Sequence, residues 1–204
     1  MSLLNLQPRL IGFAGHRNVP DRLALRQAIR RELRMMRETF GPRLTAISGA
    51  AAGADLVFLG ACVELRIPTV VILPFPRQRF AEDFDDSEEL KMAEHLMSVA
   101  LAEYVAPGGK LAPEANQSVL RHLLEWADAF LFAWNGEPAC GMDGTGEAVA
   151  EARDLGVPSR IIDAASLEVR WTFEPDMKRG ARHGFRTRKE LLEFLDSRLD
   201  GQPD

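Results

Sequence analysis

The chain has 204 residues, of which 46% are hydrophobic and 27% charged, and its formal net charge is −5. This length and hydrophobic content suit one α/β domain with a sizeable core, and the acidic balance argues against nucleic-acid binding driven by bulk charge. Two cysteines, Cys62 and Cys140, provide neither a disulfide framework nor metal-ligand spacing, so we expect no metal site.

The sequence gives no sign of secretion or membrane insertion. Nowhere do about eighteen apolar residues run together, and residues 1–8 lack a charged segment followed by a long apolar one. We therefore expect a cytoplasmic protein with no membrane partner, whose ligand is a small molecule.

The first half of the chain alternates short apolar runs with segments of helical periodicity, which predicts a parallel sheet covered by helices on both faces. Arginines of the first helix are interpreted as its solvated face. The third strand is the most hydrophobic, and we expect it to lie centrally beside the first. The predicted elements are strands at 9–14, 44–47 and 69–73 and helices starting at Pro20-Asp21 and spanning 55–66.

The second half continues this pattern as far as the last parallel strand. We then expect an edge strand, a basic loop and an amphipathic helix. The chain is accordingly divided into a Rossmann-like, doubly wound domain with a mostly parallel sheet, 1–165, and a small C-terminal appendage, 166–204. The predicted elements are helices around 90–100, 114–126 and 147–155, strands near 104–105 and at 129–134, 160–162 and 169–173, a basic loop at 178–188 and a helix through Leu191, Leu195 and Leu199.

Three Gly-rich or polar turns follow predicted strands. Glycine permits positive φ and close approach of a ligand to backbone N–H groups at the positive end of a helix, which suits phosphate. In a doubly wound sheet such turns share the rim at the carboxyl ends of the strands, so we predict one common pocket. The turns contain Gly15-His16-Arg17, Ser48-Gly49-Ala50 with Gly53, and Asp143-Gly144-Thr145.

Each candidate residue has a chemical role and a structural alternative. Arg17 suits bidentate contact with phosphate and His16 suits donation to it, whereas both residues also fit a solvated loop. Ser48 offers a hydroxyl beside the turn amides, or simply caps the turn. Trp134 and Asn135 suit stacking on a base and hydrogen bonding to it, or a lid on the core. Asp55 is expected to cap its helix.

The segments Gly12 to Arg17, Ser48 to Asp55 and Ala127 to Gly136 occur in this order in the SLOG superfamily, which the chain resembles over roughly 9–162. That superfamily includes the Rossmann-like domain of DNA-processing protein A, the "Lonely guy" phosphoribohydrolases and nucleotide-sensing domains. The resemblance implies binding of a nucleotide or a nucleotide-derived ligand, such as ADP-ribose or NAD, through the Gly-rich turns, with no cofactor required.

Catalysis is not implied to the same degree. Against the Pro-Gly-Gly-x-Gly-Thr-x-x-Glu motif of the hydrolase branch, Cys140 and Met142 depart from the pattern and Ala148 stands at the catalytic glutamate. Glu147 comes one residue early, which is about 100° of helix rotation. We therefore favour a binding or sensor domain. The alternatives are a nucleotide N-glycosidase that uses Glu147 or Asp143, and a single-stranded DNA-binding protein that uses the basic tail; nucleic acid is the less favoured partner, and homo-oligomerisation stays open.

Overall fold

The computed structural model describes residues 8–107, 112–137, 144–173 and 186–199. In these ranges the strands are β1 (Arg9–Gly15), β2 (Leu44–Ser48), β3 (Thr69–Leu73), β4 (Ala102–Val105), β5 (Ala129–Trp134), β6 (Ser159–Asp163) and β7 (Val169–Phe173). The helices are α1 (Arg22–Phe40), α2 (Ala54–Glu64), α3 (Arg77–Phe80), α4 (Ser87–Ser98), α5 (Ala112–Trp126), α6 (Thr145–Asp154) and α7 (Arg186–Leu199), with a 3₁₀ turn at Ala81–Asp83.

All seven strands form one sheet in the order β4-β3-β2-β1-β5-β6-β7, and every neighbouring pair is parallel except β6 and β7. The predicted α/β, Rossmann-like, mostly parallel fold is confirmed. The expectation that the third strand lies beside the first is wrong, since β3 pairs with β2 and β4. A fully buried apolar strand fits any interior position, so its composition does not determine its neighbours.

Two cores lie on opposite faces of the sheet. Residues of α1, α2 and α4 pack in one core, whereas residues of α5, α6 and α7 pack in the other. The strand order reverses between β1 and β5, because β2, β3 and β4 all lie on one side of β1 and β5 lies on the other. In open α/β sheets this reversal opens a crevice beyond the carboxyl ends of the strands.

Local chemistry explains the main boundaries near this crevice. The N–H of Ala24 donates to Oδ1 of Asp21 over 2.9 Å, so Asp21 caps α1 at the helix start that the sequence predicts. Gly12 allows β1 and β5 to pack closely, since a Cβ there would lie 2.3 Å from the Phe130 ring.

The arginines of α1 differ from the predicted solvated face. Arg26 and Arg30 are half-buried and pair with Glu64 of α2, whereas Arg37 donates to the carbonyl of Leu65. Arg34, on the same helix, is exposed and has no partner in the described part of the chain. Arg26 and Arg30 therefore join α1 to α2, and Arg37 joins α1 to the end of α2.

The C-terminal elements continue the same sheet and core. β7 runs antiparallel to β6, and Leu195 of α7 is fully buried in the second core. Arg43, next to β2, forms an ion pair with Asp196 of α7 at 2.9 Å. Much of the predicted basic loop falls outside the described residues, and the division at residue 165 stays a prediction. None of the described helices is long and apolar enough to cross a lipid bilayer.

Candidate functional site

A cavity of about 530 Å³ opens at the carboxyl ends of the strands, where the chain direction reverses. Its walls come from the ends of β1, β2, β3 and β5, from α5 and from the start of α6. This volume lies within the range of small-molecule sites. The predicted turns thus meet at one cavity.

The end of β1 contributes Gly15, His16 and Arg17 to the cavity wall. The backbone N–H of His16 donates to the carbonyl of Ala133 at 3.2 Å, which extends the pairing of β1 with β5. Nε2 of His16 lies 2.9 Å from Oδ1 of Asn135, so the two strand ends are also joined by side chains. Arg17 is exposed and carries its charge at the cavity mouth.

The turn after β2 is arranged differently from the sequence prediction. The Ser48 hydroxyl donates to Oδ2 of Asp55 at 3.0 Å, and the N–H of Ala51 points to the same oxygen at 3.4 Å. The N–H of Ala50 points to Oγ of Ser48, also at 3.4 Å. The donors expected to hold a phosphate are therefore directed to an internal carboxylate and the hydroxyl that binds it.

Two further donors of this turn have partners in neighbouring elements. The N–H of Gly53 donates to Oε1 of Glu89 in α4 at 3.2 Å, and the N–H of Ala54 donates to the carbonyl of His16 at 3.0 Å. Gly53 has φ +88°, and a Cβ there would lie 2.0 Å from the carbonyl oxygen of Arg17. A side chain at this position is excluded because it would displace the end of β1.

Asp55 does not cap α2, which corrects the sequence expectation. Gly53 is the N-cap residue, and it has no side chain with which to cap the helix. Asp55 is only 6% exposed and lines the cavity. Burial raises the pKa of its carboxyl to about 7, against the opposing effects of the Ser48 hydroxyl, the Ala51 N–H and the Arg17 charge.

The start of α6 gives the cavity its clearest anion-binding feature. Gly144 is the N-cap residue and makes no side-chain cap bond, and Thr145 and Gly146 also line the cavity. The first N–H groups of a helix have no acceptor within the helix, and they lie at its positive end. A negatively charged group at this wall is therefore stabilised.

Another wall of the cavity is apolar. Val119, Leu120 and Leu123 of α5 lie along it, and Phe80 adds an aromatic ring. Asn116, on the same helix, adds an amide to this wall. The cavity lining therefore combines a polar helix start with apolar side chains.

The comparisons with known proteins concern the fold. No protein-family profile matches the chain, and no curated protein is significantly similar to it in sequence. Among solved structures, the X-ray structure of DNA processing protein A (DprA) from Streptococcus pneumoniae matches with a TM-score of 0.50 and 14% identity. The chain is similar in fold to DprA. The match covers 81% of this chain and 53% of the DprA chain, so this chain spans about half the length of that protein.

The DprA-like fold brings together about half of the predicted site residues. Ser48 and Ala50 are fully buried, Gly53 lies beneath the Arg17 carbonyl, and the Nε1–H of Trp134 donates to the carbonyl of Glu137. These four residues and the exposed Glu147 do not line the cavity, and Asp143 lies outside the described residues. The predicted residues that do line it are Gly15, His16, Arg17, Gly49, Asn135, Gly144 and Thr145.

Several lining residues were missed as site residues by reasoning from the sequence. Asp55 was placed at a helix start, although its position just after a Gly-rich turn was a usable signal. Asp83 and Asn116 carry no such signal, since each lies in a segment without a motif, whereas Glu137 directly follows the segment that ends at Gly136.

Proposed function

We propose that this chain binds a nucleotide or a nucleotide-derived ligand in the cavity at the reversal point of the sheet. The single observation that carries the proposal is the pairing, in one cavity of about 530 Å³, of an open helix start with an apolar wall. A nucleotide has the matching two ends, an anionic phosphate and a flat base.

The phosphate is assigned to the Gly144-Thr145 helix start and to Arg17. Both line the cavity, and both supply N–H donors to an anion. Asp83 and Glu137 also line it, so the described lining residues include more acidic than basic groups. This balance favours a ligand with few phosphates over a polyphosphate or a nucleic-acid strand.

The base is assigned to the wall of α5. Val119 and Leu123 are buried and present apolar surface to the cavity, and burying a flat ring against them removes apolar area from water. This half of the cavity is independent of charge, so it contributes affinity that salt does not weaken.

Binding without hydrolysis is favoured over the N-glycosidase alternative. Ala148 lines the cavity at the position where the resembled hydrolases carry their glutamate, and Glu147 is exposed outside the cavity lining. A general base lies within hydrogen-bond reach of the proton that it removes, so this placement disfavours Glu147, whereas Asp143 lies outside the described residues. We therefore expect a nucleotide to be recovered intact after incubation with the protein.

A thermal-shift panel of AMP, ADP-ribose, NAD and inorganic phosphate tests the proposal. A ligand at about 100 times its Kd adds about 2.7 kcal/mol of stability, which raises the Tm of a chain of this size by roughly 5–10 °C. A shift with a nucleotide that exceeds the shift with phosphate is expected. No shift with any nucleotide overturns the proposal.

Two matched arginine variants locate the binding site. Arg17→Ala removes a charged donor from the cavity, and we expect about a tenfold or greater loss of affinity for the best nucleotide of the panel. Arg34→Ala removes the same charge from the exposed face of α1 and should change affinity less than about twofold. Equal losses in both variants would assign the effect to bulk charge and contradict the assigned site.

A further inference from the structure

We propose that Asp55 accepts a hydrogen bond from a hydroxyl group of the ligand's ribose, so that the site selects ligands that carry that hydroxyl. This inference rests on the proposed nucleotide binding and adds a specificity residue to that site. Asp55 is buried, lines the cavity and is held in place by Ser48.

The position of Asp55 between the two ends of the cavity carries the inference. At Gly49, the point where a Cβ would stand is 3.4 Å from Oδ2 of Asp55 and 3.4 Å from Cγ1 of Val119. The carboxylate thus adjoins the apolar wall of α5. It is also near enough to Arg17 for that charge to lower its pKa.

The strand order agrees with the proximity of Asp55 to Arg17. Asp55 follows β2, Arg17 follows β1, and the start of α6 follows β5, which is the neighbour of β1 on the far side. A nucleotide whose phosphate lies at Arg17 and α6 and whose base lies on Val119 places its sugar in the interval that Asp55 lines. The sugar is the part of a nucleotide that offers hydroxyl donors.

The chemistry of Asp55 suits hydroxyl groups in particular. A carboxylate is an acceptor with about four lone-pair positions. Within the described residues Asp55 accepts from the Ser48 hydroxyl and from the N–H groups of Ala51 and Gly15, which leaves room for a further donor. A phosphate at this carboxylate would be repelled, whereas a ribose hydroxyl donates to it, as acidic residues of Rossmann domains accept from ribose.

The test compares AMP with 2′,3′-dideoxy-AMP by isothermal titration calorimetry at pH 8, where Asp55 is ionised. The two probes share the phosphate and the base and differ only in the two ribose hydroxyl groups, one of which is assigned to Asp55. We expect at least about tenfold weaker binding of the dideoxy compound. Equal affinities would overturn this inference while leaving the proposed nucleotide binding intact, and failure of AMP to bind would overturn it as well.

Three carboxylate variants then identify the group that reads the sugar. Asp55→Asn should reduce the preference for AMP to less than about threefold, whereas Asp83→Asn and Glu137→Gln, which change other lining carboxylates, should retain it. Loss of the preference in either of these two, with retention in Asp55→Asn, overturns the assignment. If Asp55→Asn shows no cooperative unfolding, the D83N/E137Q double variant decides: a retained preference supports Asp55, and a lost preference overturns it.

Discussion

The Ser48 hydroxyl donates to Oδ2 of Asp55 over 3.0 Å, and both side chains are buried beneath the turn that follows β2. Gly-rich turns at this place in Rossmann-like domains are suited to an anion from the ligand. Here the turn already holds a carboxyl group of its own, supplied by the helix that the turn precedes. This arrangement sets both the stability of the turn and the charge of the cavity.

Ser48→Ala tests the bond to Asp55. The variant removes a donor from a buried carboxylate, so we expect the free energy of unfolding to fall by about 1–3 kcal/mol. Because the Ser48 bond lowers the pKa of Asp55, the loss should be larger at pH 8 than at pH 5. Chemical denaturation at both pH values measures it. Ser197→Ala, at an exposed hydroxyl of α7, serves as the control and should change stability by less than about 0.5 kcal/mol.

Asp55→Asn tests the pH dependence of stability. Burial raises the pKa of Asp55 from 3.8 to about 7, so between these values the native state binds more protons than the unfolded state. The contribution of Asp55 to stability is therefore fully present below pH 3.8 and is lost as pH rises through about 7. We expect wild-type stability to fall across this window relative to Asp55→Asn, by at most about 1.4 kcal/mol per pH unit.

Denaturation curves of both proteins at pH 5 and pH 8 supply the comparison. Asp163→Asn is the control, since the N–H groups of Ser166 and Ala165 lower the pKa of Asp163. This variant should keep the decrease in stability between pH 5 and pH 8. Parallel pH profiles for wild type and Asp55→Asn would contradict the assignment of the pH dependence to Asp55.

Gly53→Ala tests the contact between the first two turns. Gly53 has φ +88°, and an added Cβ would meet the Arg17 carbonyl, so we expect a loss of about 2 kcal/mol or more together with weaker nucleotide binding. Gly60→Ala is the matched control in the interior of α2, where nothing lies within 4 Å of the new methyl group. It should stabilise the helix by about 0.5–1 kcal/mol. Thermal denaturation distinguishes the two; a neutral Gly53→Ala would refute the close approach.

Glu89→Ala tests a cap supplied by another helix. Glu89 of α4 accepts from the N–H of Gly53 at the start of α2 and also pairs with Arg22 of α1. Because α2 has no side-chain cap of its own, we expect the variant to lose about 1–2 kcal/mol. Glu88→Ala removes the neighbouring exposed carboxylate, which pairs with Lys91 among the residues that the structure describes, and should be nearly neutral. Similar effects of the two substitutions on urea denaturation would show that the cap contributes little.

The order of strands and helices was predictable because hydrophobic periodicity follows secondary structure directly. The run at 69–73 became a strand as expected, and so did 129–134. The neighbours of the 69–73 strand in the sheet were not predictable. The buried residues of β3 are equally compatible with pairing to β1 or to β2, and the pairing depends on the crossover helices.

The site was predictable where it depends on the place of a turn, as at Arg17 and Thr145. It was not predictable where it depends on the direction of donors. The sequence of the turn after β2 suits a phosphate equally well, and only the fold shows the Ser48 hydroxyl and the Ala51 N–H directed to Asp55. The apolar wall was missed for a similar reason, since Val119 has the same spacing in the sequence whether it faces the core or a cavity.

The cavity wall is drawn from chain segments that extend from Ala14 to Ala148. Opening of any part of the sheet would therefore remove some of the groups that hold the ligand. Its binding energy should therefore appear as slower hydrogen exchange of the amides that exchange only through global unfolding, such as those in β1 and β5, and should leave the fraying ends of α1 unchanged. Occupancy of this site would thus report on the integrity of the whole sheet.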